Sequence, residues 1–125
     1  MILGLGIDIS EVNRIEAAIG RHGRAFLERI FTPAEIEYCE RYRNRYERYA
    51  GRFAAKEAGM KALGTGWRGG IRWVDFEVTR LPSGQPTLAL HGKARELAER
   101  KGVERIALSI THSGNTALAQ AIFES

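Results

Sequence analysis

One four-residue segment, Thr32-Pro33-Ala34-Glu35, constrains the fold most, because it fixes the residue at which a helix begins. The threonine can cap the helix, the proline suits its first position, and a glutamate three residues after the threonine completes a capping box. The sequence therefore predicts a helix from about Pro33 to Tyr49. A second helical segment, rich in alanine, is predicted from Gly51 to Leu63 and is closed by Gly64.

Five aromatic residues recur at helical spacing through this region. They are Tyr38, Tyr42, Tyr46, Tyr49 and Phe53. Such a stripe could serve as a platform for stacking nucleic-acid bases. It is more commonly the side of a helix that faces the core, and we predict the core-facing role.

The rest of the chain predicts strands and shorter helices. Residues 2–8 predict a strand that ends at Asp8, and a short helix follows Ser10 until Gly20 and Gly23 interrupt its pattern. Two hairpins and a surface helix follow: strands 71–79 and 86–90, helix 93–101, and strands from 106 and from 117 to 123. The predicted order is β-α-α-α-β-β-α-β-β, a single α+β domain over residues 1–125 with an antiparallel sheet packed with helices.

The second hairpin is apolar on both faces, unlike a sheet with one face in water. Helices of the same chain or a partner subunit must therefore cover its second face.

Composition excludes several classes of protein. The chain has 125 residues, 44% of them hydrophobic and 27% charged, as in ordinary globular proteins. The single cysteine, Cys39, excludes an intrachain disulfide and a cysteine-rich zinc site. The first residues lack the basic start of a signal peptide, and the uncharged stretch from Ile106 to Phe123 holds too many polar groups for a membrane span. We therefore expect a cytoplasmic protein without a membrane partner.

Three places hold residues suited to chemistry. Asp8 lies beside apolar residues at the predicted strand end, where it either caps a helix or needs a cation. Glu57 and Lys61 are four residues apart, so they form either a simple ion pair or part of a site. His112 ends the strand Ser109-Ile110-Thr111-His112-Ser113, where a surface role competes with a binding role.

Positive charge is concentrated between Arg41 and Lys61. This segment has seven basic and two acidic residues, an excess larger than the net charge of +4 of the whole chain. Arg52 and Lys56 lie on one helix face, and an external anion would relieve their repulsion.

Two carboxylates and phosphate-binding cations favour Mg²⁺-assisted chemistry on a phosphate ester. A Mg²⁺-dependent phosphodiesterase or nuclease, or a basic nucleic-acid-binding module, are the alternatives from other classes. A nuclease commonly needs more converging carboxylates, and a binding module would need neither Asp8 nor Glu57.

Four motifs occur in a characteristic order. They are Gly6-Ile7-Asp8-Ile9 with Arg14-Ile15, Phe31-Thr32-Pro33-Ala34-Glu35, Gly51-Arg52-Phe53-Ala54-Ala55-Lys56-Glu57-Ala58 with Lys61, and Ser109-Ile110-Thr111-His112-Ser113. Over nearly the whole chain, this order resembles the holo-acyl-carrier-protein synthases, the small bacterial 4′-phosphopantetheinyl transferases. Gly59 stands where that family has a larger apolar residue, which predicts looser helix packing. Gln85 stands where lysine or arginine is common, which predicts the loss of one charged contact with the coenzyme.

The resemblance implies transfer of 4′-phosphopantetheine from coenzyme A to a serine of an acidic acyl carrier protein, with release of adenosine 3′,5′-bisphosphate. It also implies Mg²⁺, a homotrimer with active sites between subunits, a role in fatty acid biosynthesis and lipid metabolism, and no nucleic-acid partner. Asp8 and Glu57 are the implied metal ligands, and Glu57 and Lys61 the implied catalytic residues, with Glu57 or a metal-bound water as the general base. The implied contacts with the coenzyme are Arg45, Arg52, Lys56, Lys61 and His112. The residues implied in docking of the carrier protein are Arg14, Arg21 and Arg24.

Overall fold

The structure, a computed structural model, describes all residues except Thr65, Trp67 and the side chain of Arg68. Its elements are β1 (Ile2–Glu11), α1 (Val12–His22), α2 (Arg24–Ile30), α3 (Pro33–Glu40), α4 (Arg45–Leu63), β2 (Phe76–Arg80), β3 (Pro86–Leu90), α5 (Gly92–Lys101), β4 (Arg105–Ser113) and β5 (Thr116–Glu124). All strand pairs are antiparallel, so the predicted α+β class is confirmed. The strands form two sheets rather than one: a three-stranded sheet in the order β1-β5-β4 and the hairpin β2-β3.

The capping box at Thr32 is present as predicted. The hydroxyl of Thr32 accepts a hydrogen bond from the backbone N–H of Glu35, and the Glu35 carboxylate accepts one from the backbone N–H of Thr32. The predicted extent of the helix is wrong, because α3 ends at Glu40. The backbone N–H groups of Arg41 and Tyr42 bond to carbonyls three residues earlier, which tightens and ends the last turn.

The predicted break before Gly51 is also wrong, since α4 runs without interruption from Arg45 to Leu63. A Cβ atom at Gly51 would lie 2.9 Å from Nε2 of His112 and 3.1 Å from Cγ2 of Ile110. This glycine therefore serves close packing of β4 against α4 and does not terminate a helix.

The five aromatic residues do not form one stripe, because the chain turns between α3 and α4. Tyr49 is fully buried and packs on Phe31, with ring centroids 4.9 Å apart. The other four are only partly buried. The predicted core-facing role is thus correct for Tyr49, and Tyr38 and Phe53 also pack against the core while partly buried.

The N-terminal region differs from the prediction in three ways. β1 continues to Glu11, so Asp8 lies within the strand and Ser10 does not cap a helix. α1 continues through Gly20 to His22 and is capped by Gly23, whose positive φ of 58° suits glycine. The sequence interpretation missed α2, although the spacing of Leu27 and Ile30, both buried, is helical.

Two glycines of β1 allow α4 to lie directly against the strand backbone. A Cβ atom at Gly4 would lie 1.9 Å from the carbonyl oxygen of Ala62, and one at Gly6 would lie 1.8 Å from that of Ala58. Side chains alternate along a strand, so Asp8 is the next residue of β1 that points towards α4. The close approach of helix and strand thus brings the Asp8 carboxylate to α4.

Gly59 does not loosen the packing, contrary to the prediction. A Cβ atom there would lie 2.8 Å from Cδ1 of Leu88 and 3.0 Å from Cδ1 of Phe76. Large side chains of β2 and β3 therefore occupy the space that a larger residue at position 59 would need.

The outer face of the three-stranded sheet is apolar and exposed. The large exposed hydrophobic residues at the start of the chain and along β1 are Met1, Ile2, Leu3, Leu5, Ile7 and Ile9. Leu5 and Ile9 lie opposite Ile122 and Leu118 of β5, which extend the same row across the sheet. The inner face is covered by α4, where Ala119, Ala121 and Phe123 are buried.

None of the helices in the described part of the chain has the length and apolar character needed to cross a membrane.

Candidate active site

The structure brings together three residues that the motifs singled out. The ammonium group of Lys61 lies 3.0 Å from Oδ1 of Asp8 and donates a hydrogen bond of 3.0 Å to the carbonyl of Ile7. The side chain of Asp8 is only 12% exposed, whereas that of Lys61 is 57% exposed. Glu57 lies one turn before Lys61 on α4, and its side chain is adjacent to that of Asp8.

Negative charge is in excess at this site. Burial, together with the hydrogen bond and the charge of Asp8, raises the pKa of the Glu57 carboxyl to about 7, against the opposing effect of Lys61. Two adjacent carboxylates carry more charge than one exposed lysine neutralises. A second cation beside Asp8 and Glu57 would favour the ionised form of both.

The donor set fits Mg²⁺. This ion takes oxygen ligands and commonly uses one or two carboxylates together with waters and phosphate oxygens, which is what Asp8 and Glu57 offer. No cluster of three or more histidine, cysteine, aspartate or glutamate side chains is found in the described part of the chain. The remaining ligands would therefore be oxygens from water and substrate. A cavity of about 420 Å³ adjoins the pair and is lined by Glu57, Met60, Lys61, Gly64 and Gly66.

A second cavity, of about 180 Å³, lies where α4, the β2-β3 hairpin and β4 meet. Arg52 and His112, two predicted contacts with the coenzyme, both line it. Nε2 of His112 donates a hydrogen bond of 2.9 Å to the carbonyl of Glu47, which holds the ring against α4. Arg45 lies outside this cavity, 3.9 Å from Glu40 and over the ring of Tyr46.

Lys56 is not brought to either cavity, which corrects its predicted place among the coenzyme contacts. Its side chain is fully buried, with Nζ 2.7 Å from Oε1 of Glu35 and 2.7 Å from the carbonyl oxygen of Phe76. The second oxygen of Glu35 accepts a hydrogen bond from the backbone N–H of Val78. Lys56 thus ties α4 to α3 and β2 from inside the protein.

The two cavities share no lining residue and open on different sides of α4. Arg52 and Glu57 are five residues apart, which rotates their directions by about 140° around a helix with 3.6 residues per turn. Within one chain, the predicted contacts with the coenzyme therefore fall into two separate groups.

The three predicted docking residues lie at the surface near the start of the chain. Arg14 and Arg21 are both exposed on α1, and their spacing of seven residues places them on one face. Arg24 begins α2 and pairs with Glu28 at 3.0 Å.

Sequence interpretation missed two residues of the second cavity. The sequence analysis counted Arg48 only as one of many charges in the basic segment. Arg80 lies on β2, far from α4 along the chain. No local pattern connects Arg80 with Arg52, since only the packing of the β2-β3 hairpin on α4 brings them together.

Comparison with known proteins agrees with this fold. Residues 4–121 match the family model of the 4′-phosphopantetheinyl transferase superfamily, so the chain belongs to that superfamily. Full-length similarity places it more narrowly, among the holo-[acyl-carrier-protein] synthases. It is 58% identical to the holo-[acyl-carrier-protein] synthase of Solibacter usitatus over 125 residues, all of both chains. It is 56% identical to that of Koribacter versatilis over 99% of both.

Solved structures give the same result. The crystal structure of the holo-[acyl-carrier-protein] synthase from Neisseria meningitidis matches with a TM-score of 0.89 and 35% identity, covering 100% of both chains. The Helicobacter pylori enzyme in complex with coenzyme A matches with a TM-score of 0.84 and 31% identity, over 96% of this chain and 99% of that one. The Bacillus anthracis synthase in complex with CoA (3′,5′-ADP) matches with a TM-score of 0.80 and 38% identity, over 100% of this chain and 98% of that one. The chain is therefore a phosphopantetheinyl transferase, as the motifs predicted.

Proposed function

We propose that the protein transfers 4′-phosphopantetheine from coenzyme A to a serine of acyl carrier protein in a Mg²⁺-dependent reaction that releases adenosine 3′,5′-bisphosphate. The observation that carries this proposal is the contact of Asp8, Glu57 and Lys61 beside an open cavity. Relatives in complex with coenzyme A support the choice of donor.

In this reaction the serine oxygen attacks the phosphorus next to pantetheine, and the bond from that phosphorus to the bridging oxygen breaks. Mg²⁺ held by Asp8 and Glu57 would neutralise charge on the diphosphate. Asp8 orients the ammonium group of Lys61, which is exposed enough to contact a diphosphate oxygen. The carboxylate of Glu57 is the proposed acceptor of the serine proton, because it lines the open cavity and a cation beside it would keep it ionised.

We further propose a homotrimer with active sites between subunits. The exposed apolar face that contains Leu5, Ile7 and Ile9 supports an interface there. The separation of Lys61 from Arg52 and His112 supports sites that combine residues of two subunits.

We propose a cytoplasmic enzyme that serves fatty acid biosynthesis. This proposal rests on the family to which the chain belongs.

The direct test is mass spectrometry of apo-acyl carrier protein after incubation with the protein, coenzyme A and Mg²⁺. We expect the carrier to gain the mass of one phosphopantetheine group, and a carrier without its acceptor serine to gain none. Cleavage of coenzyme A without a carrier adduct would favour a phosphodiesterase instead. Binding of nucleic acid with no reaction would favour a basic binding module.

Carrier docking is the proposed role of Arg14, Arg21 and Arg24. No described carboxylate forms an ion pair with Arg14 or Arg21, so both are available to an acidic partner. We expect Arg14→Glu to raise the KM for carrier protein about 10-fold and to leave the KM for coenzyme A nearly unchanged. The defect should shrink as salt rises, because screening shortens the Debye length to about 3 Å at 1 M.

The matched control for Arg14→Glu is Arg95→Glu, an equal charge reversal on the exposed face of α5. We expect it to leave both KM values unchanged. An equal rise in the KM values for carrier protein and coenzyme A in Arg14→Glu would contradict the docking role. No change in either KM value would contradict it as well.

A further inference from the structure

The first turn of α1 receives no cap from the residue that precedes it. The first four N–H groups of a helix have no partner within the helix. The side chain of Glu11, directly before α1, makes no capping hydrogen bond, and the first turn contains no acidic residue. This turn carries Arg14, the first of the three proposed docking residues.

An asparagine from the other end of the chain supplies the cap. Asn115 lies in the two-residue loop between β4 and β5. Its backbone carbonyl accepts a hydrogen bond of 2.8 Å from the N–H of Val12, and its Oδ1 accepts one of 2.9 Å from the backbone N–H of Asn13. Nδ2 of Asn115 donates in return to Oδ1 of Asn13, at 2.9 Å. One residue thus satisfies two of the four N–H groups that begin α1.

The side chain of Asn115 is needed for half of this contact. Its amide is both an acceptor and a donor, and Asn13 uses both. Alanine at position 115 would keep the backbone bond to Val12 but leave the N–H of Asn13 to water. Loss of a capping side chain commonly shifts a helix equilibrium about 5-fold. Because Ile15 is buried and holds the rest of α1 on the core, the shift would affect only the first turn.

The first turn sets the direction in which Arg14 points. Arg14 and Arg21 lie on one face only while the helix includes both residues. If the first turn were frayed, binding of a carrier would have to order it again before Arg14 could contact an acidic group. Asn115 lines neither of the two cavities beside α4, so a change there should affect the carrier and spare the coenzyme.

We propose that Asn115 is a positioning residue for carrier docking, which holds the first turn of α1 and with it Arg14. This inference rests on the proposed function, under which Arg14 contacts the carrier protein. Asn115 acts only through the helix, and Asn13 is its partner there.

Steady-state transfer kinetics of Asn115→Ala test the inference. We expect the KM for carrier protein to rise about 3-fold, with kcat and the KM for coenzyme A unchanged. The rise is limited by the shift in the helix equilibrium, because the ordered fraction of the turn sets the apparent affinity. If Asn115 acts through Arg14, adding Asn115→Ala to Arg14→Glu should raise the KM no further. The control Glu104→Ala, an exposed residue directly before β4, should leave both KM values unchanged.

Hydrogen exchange of the backbone amides needs no carrier protein. We expect Asn115→Ala to speed exchange of the Asn13 amide by at most about 5-fold and to leave exchange in α5 unchanged. Asn115→Asp keeps an acceptor oxygen in place of Oδ1, and exchange at Asn13 should stay slow. Unchanged exchange at Asn13 in Asn115→Ala would overturn the inference.

The kinetic results separate failure of the inference from failure of the proposed function. If Arg14→Glu raises the KM for carrier protein and Asn115→Ala does not, the inference alone is overturned. If Arg14→Glu has no effect on that KM, the docking role is overturned and the inference with it. Absence of transfer by the wild-type protein would overturn the proposed function, whatever the exchange rates show.

Discussion

Asp8→Ala and Glu57→Ala should each lower the turnover of carrier-protein transfer about 100-fold or more, while both variants stay folded. Each substitution removes one of the two carboxylates that would hold Mg²⁺, and loss of a main electrostatic group commonly costs two to three orders of magnitude in rate. Asp8→Ala also removes the charged partner of Lys61, so only the carbonyl of Ile7 would still hold the ammonium group.

The measurement is kcat at saturating coenzyme A, carrier protein and Mg²⁺, with thermal unfolding to check the fold. Glu96→Ala is the matched control, because Glu96 is a glutamate of α5 that is 60% exposed and pairs only at the surface. We expect normal turnover from this control. Turnover near the wild-type value from either site variant would contradict the assignment of Asp8 and Glu57 as metal ligands.

The sequence predicted this site because its local signals are strong. Glu57 and Lys61 are one helical turn apart, and the Gly6-x-Asp8 motif precedes them in the order typical of the family. The reason for that motif is visible only in three dimensions. Gly6 lets the carbonyl of Ala58 approach the strand, and this approach brings Asp8 within reach of Lys61.

The sequence misplaced Lys56 because charged residues are exposed by default, and burial of a lysine depends on a distant partner. That partner, Glu35, lies on another helix and was identified only as a capping residue. One glutamate performs both roles, since Oε1 contacts Lys56 and the backbone of Thr32 while Oε2 accepts from Val78. No periodicity in the sequence indicates that one glutamate both caps a helix and pairs with a buried lysine.

The predicted helix boundaries were wrong for a related reason. Glycine commonly interrupts helices, but Gly51 lies within α4, where it allows His112 of β4 to pack closely. The turn between α3 and α4 contains Arg43 and Asn44, and neither glycine nor proline marks it. Tertiary packing decided both positions against local propensity.

Leu5→Glu should separate the proposed trimer into monomers and abolish most of the transfer activity. Leu5 lies on the exposed apolar face of β1, 57% exposed in the single chain. A carboxylate at the centre of an apolar interface would have to be buried without a partner, which costs several kcal/mol per copy. Sedimentation equilibrium should give three times the chain mass of 14.0 kDa for the wild-type protein and the mass of one chain for the variant.

Leu81→Glu is the control for oligomeric state, because Leu81 is exposed but lies after β2, away from this face. We expect it to leave the trimer intact. A fully active wild-type monomer would contradict both the trimer and the shared active site.

Mixed trimers test the shared site itself. If each site takes Glu57 from one subunit and His112 from its neighbour, co-expression of Glu57→Ala with His112→Ala should restore about a quarter of the sites, since random assembly pairs two intact partners at that frequency. Each variant alone contains no intact site. Transfer activity of the mixed sample should therefore exceed that of either variant by far. If instead both residues of a site belonged to one chain, every site in the mixture would carry one of the two substitutions, and mixing would restore nothing.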